Sequence, residues 1–257
     1  MAGAAPPGGE AEGPARVMTG RFCGGVEEAD AARGKLFAGA ADRNKGPIGE
    51  EVVRRLAAWG GKVPSPAGPL RLLEVASGTG QHVVHLAGVL PEAWHFQPTD
   101  VDDDNVRSVE AYRAELDVAV QQRVAAPIYL DASDLAAWDA LVGTEGPCYH
   151  CVYNANVAHI APEGVWKGLV AGAARVLVDG GTLFMYGPFL VDGKPTSESN
   201  AAFDARLRDQ DPSWGLRDVG DVAALASTVG LELLDNFFMP ANNQLLVFCK
   251  GAVPTSP

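Results

Sequence analysis

Near residue 75 the chain carries an acid and two alternating glycines directly after an apolar segment: Glu74–Gly80 reads EVASGTG. Glycine has no side chain, so the backbone N–H groups of such a loop can approach a bound ligand closely. The residues after Gly80 favour a helix, and the start of a helix adds further N–H groups that point at the ligand. The stretch therefore predicts a ligand-binding loop between a strand and a helix.

Three kinds of ligand loop share this outline. A phosphate loop requires a lysine after its last glycine, but Gln81 and His82 stand there. A dinucleotide loop requires a third glycine where Val83 stands. An S-adenosylmethionine loop combines an acid, a small residue and two alternating glycines. The chain supplies these as Glu74, Ala76, Gly78 and Gly80. Glu74 either attracts the cationic end of that cofactor or only ends the strand.

Two later acids follow the next strands in order. Asp100 ends a strand about 20 residues after the glycines, the spacing at which an acid reaches ribose hydroxyls in nucleoside-binding α/β folds. Val101 beside it is expected to pack on the adenine ring. Asp131 ends the third strand, where it either accepts a hydrogen bond from the adenine amino group, with Ala132 donating from its backbone, or caps a helix. The ordered landmarks favour S-adenosylmethionine as the cofactor.

Strands and helices must alternate to position these residues. Short apolar runs at 71–76, 94–100, 127–132, 149–157 and 182–189 predict strands, and amphipathic stretches between them predict helices. This alternation predicts an α/β fold with a mostly parallel sheet covered on both faces. A polar segment precedes the helix predicted at 50–60, and a helix at 164–177 is expected to end at Asp179–Gly181. The runs 231–239 and 243–250 predict a C-terminal antiparallel hairpin.

Composition and charge narrow the partners and the location of the protein. The 257 residues carry a formal net charge of −12, so we expect no binding to nucleic acid, whose affinity for proteins comes mainly from its phosphates. No apolar run is long enough for a bilayer and no export signal is visible, so we expect a cytoplasmic protein without membrane contact. Cys148 and Cys151 have CxxC spacing, but they lack a second pair of ligands, so we expect core residues and no metal site.

Domain boundaries follow from composition. Residues 1–34 are rich in Ala, Gly and Pro and predict a flexible low-complexity tail. A single domain is expected over residues 35–250, and residues 251–257 form a short tail.

Several motifs resemble those of a known family. The chain resembles class I S-adenosylmethionine-dependent methyltransferases, and more narrowly the methyltransferase-like twenty-six family, formerly a domain of unknown function. The matching stretches are AADRNKGPI, LLEVASGTGQHVVHLA, FQPTDVD, NANVAHIAP, LFMYGPF, SNAAFDARLRDQDPSWGLRD and MPANNQLLVF. The resemblance implies a Rossmann-like fold with seven strands and S-adenosylmethionine as cofactor, but it does not imply a substrate. The ordered landmarks and the acidic charge lead us to expect a small-molecule acceptor.

The residues after the fourth strand usually face the transferred methyl group in that class. Here they begin with Asn154, a candidate both for catalysis and for cofactor binding, and they end with His159. His159 has the ordinary pKa of a general base, although a histidine at a strand end often only packs. Tyr186 ends the fifth strand, is expected at the same rim, and is a further candidate for catalysis. The motif Asp/Asn-Pro-Pro-aromatic of amino-group methyltransferases is absent from the sequence.

Further residues are candidates for cofactor binding. Arg43, Asn44 and Lys45 precede the first predicted helix and either hold the cofactor carboxylate or a substrate anion, or form a solvated helix start. Ser77 and His82 complete the loop. The polar segment 190–218 is expected to form a substrate lid or a structural network. Alternative functions are a non-catalytic cofactor-binding or scaffold protein, a protein methyltransferase and an NAD(P) oxidoreductase. The oligomeric state is not predicted.

Overall fold

A computed structural model describes residues 26–30, 34–59, 68–142 and 146–251. The strands are β1 Val26–Asp30, β2 Lys35–Ala38, β3 Leu70–Val75, β4 Trp94–Asp100, β5 Ile128–Tyr129, β6 Tyr149–Ala155, β7 Leu177–Gly187, β8 Leu190–Val191, β9 Lys194–Pro195, β10 Leu231–Met239 and β11 Asn243–Lys250. The helices are α1 Gly39–Trp59, α2 Gln81–Val89, α3 Asp103–Ala114, α4 Val118–Gln121, α5 Leu135–Val142, α6 Glu163–Val176, α7 Glu198–Gln210 and α8 Val219–Thr228.

Seven strands form one sheet in the order β10-β11-β7-β6-β3-β4-β5. Strands β3 to β7 pair in parallel, and β11 runs antiparallel to both β7 and β10. The predicted α/β fold with a seven-stranded, mostly parallel sheet and a C-terminal antiparallel hairpin is therefore confirmed. The chain proceeds from β3 outwards to β4 and later returns to β6 on the other side of β3, and such a switch of direction opens a crevice at the carboxyl ends of the strands.

Both faces of the sheet are covered, which explains the continuous apolar strands. Leu73 and Val75 of β3 point into one core, which also contains side chains of α6 and α8. Leu72 points into the other core, with side chains of α1, α2 and α3. A fully buried leucine of this kind contributes roughly 1.5–3 kcal/mol to folding. The two cores hold β3 and β6 rigidly, so the loops that follow them start from fixed positions.

The helix predicted at 50–60 begins earlier, because α1 starts at Gly39 and includes Pro47. The prediction that the segment from Asp42 to Lys45 precedes the first helix is therefore wrong. Glycines and a proline at 46, 47 and 49 suggest a loop, but burial of Ile48 and Val52 against the sheet holds the backbone in a helix. Tertiary packing outweighs local preference here.

Other boundaries also differ from expectation. Helix α6 ends at Val176 instead of continuing to 177, and β7 starts at Leu177, before the glycines at 180 and 181. Strand β5 has only two residues. The polar segment 190–218 contains the hairpin β8–β9 and helix α7. Cys148 and Cys151 are free, and Cys151 is buried in a core.

The N-terminal prediction is only partly within the described residues. Residues 1–25 and 31–33 of the predicted tail lie outside them, whereas Val26–Asp30 pairs with β2 as an antiparallel strand and so has regular structure. Residues 252–257 of the predicted C-terminal tail also lie outside. In the ranges that the structure describes, no helix is both long enough and apolar enough to cross a membrane.

Candidate active site

The loop between β3 and α2 requires left-handed backbone conformations. The φ angles of Ala76, Gly78 and Gly80 are 56°, 56° and 91°. A Cβ atom on Gly80 would lie 2.9 Å from the Cα atom of Val109, so only glycine lets the loop pack against α3. Ala76 takes the same conformation with a side chain, at a cost of roughly 1–2 kcal/mol. A Cβ atom on Gly78 would meet nothing within 4 Å, because this glycine faces open space.

Asp100 holds this loop in place from the end of β4. Its Oδ2 atom accepts from the N–H of Gly78 at 2.8 Å, and its Oδ1 atom accepts from the N–H groups of Val101 and Asp102 at 2.9 and 3.0 Å and from Asn105 Nδ2 at 3.2 Å. The side chain is fully buried. Burial raises its pKa, and these hydrogen bonds oppose that shift. Both carboxylate oxygens thus accept hydrogen bonds from the protein itself, whereas the sequence predicted hydrogen bonds to ribose hydroxyls.

Glu74 lies on the same sheet face as Tyr153, its partner in the register between β3 and β6. Burial raises the pKa of Glu74 to about 8, with a hydrogen bond from Ser77 lowering it and the charge of Asp100 raising it further. The carboxyl group is therefore mostly protonated at neutral pH. Its Oε2 atom is buried without a hydrogen-bond partner among the described residues. One oxygen of Glu74 is thus buried without a hydrogen bond from the described residues.

His82 connects three elements through its ring. Its Nε2 atom lies 2.7 Å from Oδ1 of Asn44 in α1, and its Nδ1 atom lies 3.3 Å from the hydroxyl of Tyr153 in β6. Burial lowers the pKa of His82 to about 4, and the nearby His85 and Lys45 lower it too. The ring is therefore neutral at pH 7. It donates to Asn44 through Nε2–H and accepts from the Tyr153 hydroxyl at Nδ1.

A half-open cleft runs between the first turn of α1, the glycine loop and the end of β6. The space between these elements, counted out through the open mouth into solvent, is about 570 Å³. The lining residues are Ala38, Ala40, Ala41, Ala76, Ser77, Gly78, Thr79, His82, Ala155, Asn156, Val157 and Ile160. All of them are small, apolar or uncharged. The structure thus brings together four of the predicted cofactor residues, namely Ala76, Ser77, Gly78 and His82.

The other predicted cofactor residues lie outside this lining. Lys45 pairs with Asp42 at 2.5 Å, and Arg43 is exposed. Val101 packs against a core. Asp131 accepts from the N–H and the hydroxyl of Ser133, which caps a turn. The carbonyl of the buried Ala132 accepts from Trp138 Nε1 at 3.0 Å. Their contacts with a cofactor remain predictions.

The three predicted catalytic residues also lie outside the lining of the cleft. Asn154 donates from Nδ2 to the carbonyl of Val75 at 2.8 Å and so links β6 to β3. Tyr186 is almost fully buried; burial raises its pKa, and hydrogen bonds with Asn44 and Asn243 lower it.

The imidazole of His159 packs edge-on against Phe203, with ring centroids 5.4 Å apart. Burial lowers its pKa to about 3, with a further contribution from the charge of Arg217. This geometry favours a packing role over proton transfer, because the neutral ring is a weak base in a buried position.

Asn156 was expected only as part of the stretch 154–159 that faces the transferred methyl group, and Gln81 was not selected from the sequence as a site residue. Asn156 lines the cleft with a φ angle of 63°, and its N–H donates to the carbonyl of Tyr186 at 2.7 Å. Asparagine tolerates this conformation, which was the available signal. Gln81 accepts from the N–H of Ala38 at 2.7 Å and from the Thr79 hydroxyl at 2.9 Å. No sequence signal indicated this, because it depends on how β2 packs.

The segment 190–218 is hydrogen-bonded to the loop that follows β6, at the edge of the cleft. Arg217 donates to the carbonyls of Ala158 and Ala161 at 3.0 and 2.9 Å, and the N–H of Gly215 donates to the carbonyl of His159. Asp204 accepts from the N–H of Leu216 at 2.6 Å. Of the two roles expected for this segment, these contacts favour the structural network.

Comparisons with known proteins place this geometry in context. The family model of DUF938, described as a protein of unknown function, matches residues 35–250. A solved structure of a candidate sarcosine dimethylglycine methyltransferase from Galdieria sulphuraria is 13% identical, with a TM-score of 0.61; the match covers 85% of this chain and 93% of that one. An O-methyltransferase family 2 protein from Planctomyces limnophilus, in complex with apigenin, is 16% identical over 82% of this chain and 65% of its own, with a TM-score of 0.57.

Human N-acetylserotonin methyltransferase in complex with SAM is 13% identical, with a TM-score of 0.56, over 71% of this chain and 48% of that one. The chain thus spans nearly the whole Galdieria protein but only about half to two thirds of the other two. At these identities the likeness shows that the chain shares its fold with these methyltransferases.

Proposed function

This chain belongs to the DUF938 family of proteins of unknown function, and we propose that it is an S-adenosylmethionine-dependent methyltransferase acting on a small molecule. The observation that carries the proposal is the glycine loop Ala76–Gly80, held by Asp100 at the carboxyl end of β3 and open to the cleft. We further propose that the chain is related to the methyltransferase-like twenty-six family, on the motifs it shares.

The residues at the cleft fit this cofactor. Gly78 leaves open space where any other residue would place a side chain, so a ligand can approach the backbone. Glu74 beneath the loop end has a buried oxygen without a partner among the described residues, which suits a cationic or N–H-bearing ligand nearby. The small alanines at 38, 40 and 41 leave room at the opposite wall.

S-adenosylmethionine, when bound, supplies a methyl group on a positively charged sulfur. The protein's contribution is alignment and exclusion of water, which can supply several kcal/mol of barrier lowering without a dedicated base. We assign alignment to the end of β6, where Asn156 lines the cleft and Asn154 ties the strand to β3. Tyr186 supports the same rim from β7, because its carbonyl accepts from Asn156.

The buried histidines support this assignment. His82 uses both ring nitrogens in hydrogen bonds, and the pKa of His159 is lowered to about 3. The proposal therefore gives His159 a packing role and expects no bell-shaped pH profile from it.

Calorimetric titration with S-adenosylmethionine and S-adenosylhomocysteine tests the cofactor. We expect both to bind wild-type protein, and we expect Asp100→Ala to bind at least about tenfold more weakly, because loss of its hydrogen bonds frees the loop. Asp103→Ala is the control. Asp103 is an exposed acid three residues after Asp100, in the first turn of α3. Absence of binding to either compound would refute the proposal.

A second candidate is a cofactor-binding protein without catalysis, favoured by the neutral, fully engaged ring of His82 in the cleft. Incubation with a labelled methyl donor and a fractionated metabolite extract separates the two candidates. Label transferred by wild-type protein and lost with Asp100→Ala supports the enzyme. The net charge of −12 argues for a small molecule over nucleic acid as acceptor, and we propose a cytoplasmic location.

A further inference from the structure

The two halves of helix α1, before and after the junction at residues 46–47, are held to the rest of the domain by different contacts. In the second half, Ile48, Val52 and Leu56 are buried in a core. A Cβ atom on Gly49 would lie 2.7 Å from Nε2 of His85 in α2, so the two helices are in close contact there. The second half is therefore fixed to the body of the domain.

The first half forms a wall of the cleft and has much less support. Ala40 and Ala41 line the cleft, and Asp42 and Arg43 are exposed. A hydrogen bond from Ala38 N–H to Gln81 Oε1 anchors the strand just before this half. At its other end the side chain of Asn44 accepts from Nε2–H of His82. Asn44 also shares a hydrogen bond with Tyr186 of β7, and His82 has a further hydrogen bond with the backbone of Ala41. Polar contacts, several of them to His82, therefore hold the wall in place.

The junction between the halves is weak in backbone hydrogen bonding. Pro47 lies inside the helix and has no N–H, so the carbonyl of Arg43 receives no donor from that position. Gly46 directly before it has no Cβ, and a Cβ there would meet nothing within 4 Å. A proline next to a glycine is the usual cause of a bend in a helix. The first half can therefore move about residues 46–47 while the second half stays in place.

His82, the hydrogen-bond partner of Asn44, is held in a fixed orientation. His82 lies in the first turn of α2, and its second ring nitrogen accepts from the hydroxyl of Tyr153, which is fully buried in β6. This hydrogen bond fixes the ring orientation and presents Nε2–H to Asn44. We call the pair Asn44 and His82 the latch.

We propose that the latch is a positioning device: His82 holds the first half of α1 against the cleft through Asn44, and this half swings about Gly46–Pro47 when cofactor enters or leaves. Neither residue needs to touch the reacting atoms for this role. The proposal rests on the proposed function in naming the cofactor, but the movement of α1 can be measured in the free protein.

Hydrogen exchange followed by mass spectrometry tests the movement without any ligand. In Asn44→Ala we expect amides of residues 39–46 to exchange about tenfold faster than in wild type, with residues 50–58 unchanged, since one buried partner of His82 is lost. Glu50→Gln is the matched control on the fixed half, where the side chain is exposed. Equal exchange at 39–46 in wild type and Asn44→Ala would overturn the proposal.

Stopped-flow binding of S-adenosylhomocysteine tests the link to the cofactor. We expect Asn44→Ala to release it about tenfold faster. We expect Pro47→Ala, which restores an N–H donor to the helix, to slow association and dissociation together with little change in Kd. Unchanged rates in both variants would overturn the proposal, and failure of wild type to bind at all would instead refute the proposed function.

Asn44→Asp provides a readout that a purely structural role would not change. The variant keeps an acceptor oxygen, so near neutral pH it should hold the wall as wild type does. The new carboxylate should raise the pKa of His82 towards the ordinary range of histidine, about 5–8. The release rate should then depend on pH in that range in Asn44→Asp and remain flat in wild type. A flat profile in both would contradict the latch.

Discussion

At the scale of single residues, burial of the carboxyl group of Glu74 carries an electrostatic cost near the site. It is 2% exposed, and its Oε2 atom has no partner among the described residues. Burial raises its pKa from 4.5 to about 8. The folded protein therefore keeps a proton that the unfolded chain releases above pH 4.5, so Glu74 makes folding less favourable as pH rises from about 4.5 to about 8. A residue retained at such a cost is consistent with a role towards a ligand.

Replacing Glu74 by glutamine tests this directly. Glu74→Gln keeps the shape and removes the titration, so we expect its free energy of unfolding to exceed that of wild type by an amount that grows from pH 5 to pH 8. Urea unfolding at several pH values measures it. Glu50→Gln serves as the matched control, because it makes the same substitution at an exposed side chain. A difference that shrinks with rising pH would contradict the raised pKa.

At the scale of elements, the site depends on the close approach of α3 to the glycine loop. Gly80 is the last loop residue before α2, and its φ angle of 91° and the backbone of Val109 both exclude a side chain. Ser108 adds a hydrogen bond from its hydroxyl to the carbonyl of Thr79 at 2.8 Å and accepts from the N–H of Leu36. The loop, α3 and β2 are therefore positioned together, and β2 leads directly into the movable half of α1.

A pair of glycine substitutions tests this packing. We expect Gly80→Ala to lower the free energy of unfolding by about 1–3 kcal/mol, because of strain in the backbone and overlap with Val109. Gly88→Ala in α2 should raise the free energy of unfolding by roughly 0.5–1 kcal/mol, since a Cβ there meets nothing within 4 Å and alanine favours the helix. Chemical denaturation distinguishes the opposite signs. Equal effects would mean that the approach of α3 is not tight.

At the scale of the whole molecule, net charge affects ligand binding through long-range attraction. The protein carries −12, and S-adenosylmethionine carries one more positive charge than S-adenosylhomocysteine. The lining of the cleft itself is uncharged, so we expect the more distant surface to contribute to the charge preference, and salt screens that contribution.

Titrations at two ionic strengths measure this contribution. We expect the affinity for S-adenosylmethionine to fall by a factor of about 2–5 between about 50 mM and about 500 mM salt, while that for S-adenosylhomocysteine changes little. The uncharged sulfur of the second compound makes it the matched control. A parallel loss for both compounds would indicate a direct ion pair at a group that they share.

The sequence was sufficient to predict the fold and the position of the glycine loop. The periodicity of apolar residues, the glycine spacing and the acids at strand ends are all local properties of the chain. It did not show that Asp100 binds the glycine loop, since one of the N–H groups that it accepts from belongs to Gly78, 22 residues away in the chain. The helical state of 39–49 and the contact of Asn44 with His82 depend on packing of α1 against α2. The tertiary structure alone decides which side chains face the cleft, because long-range packing sets the direction of every side chain at the rim.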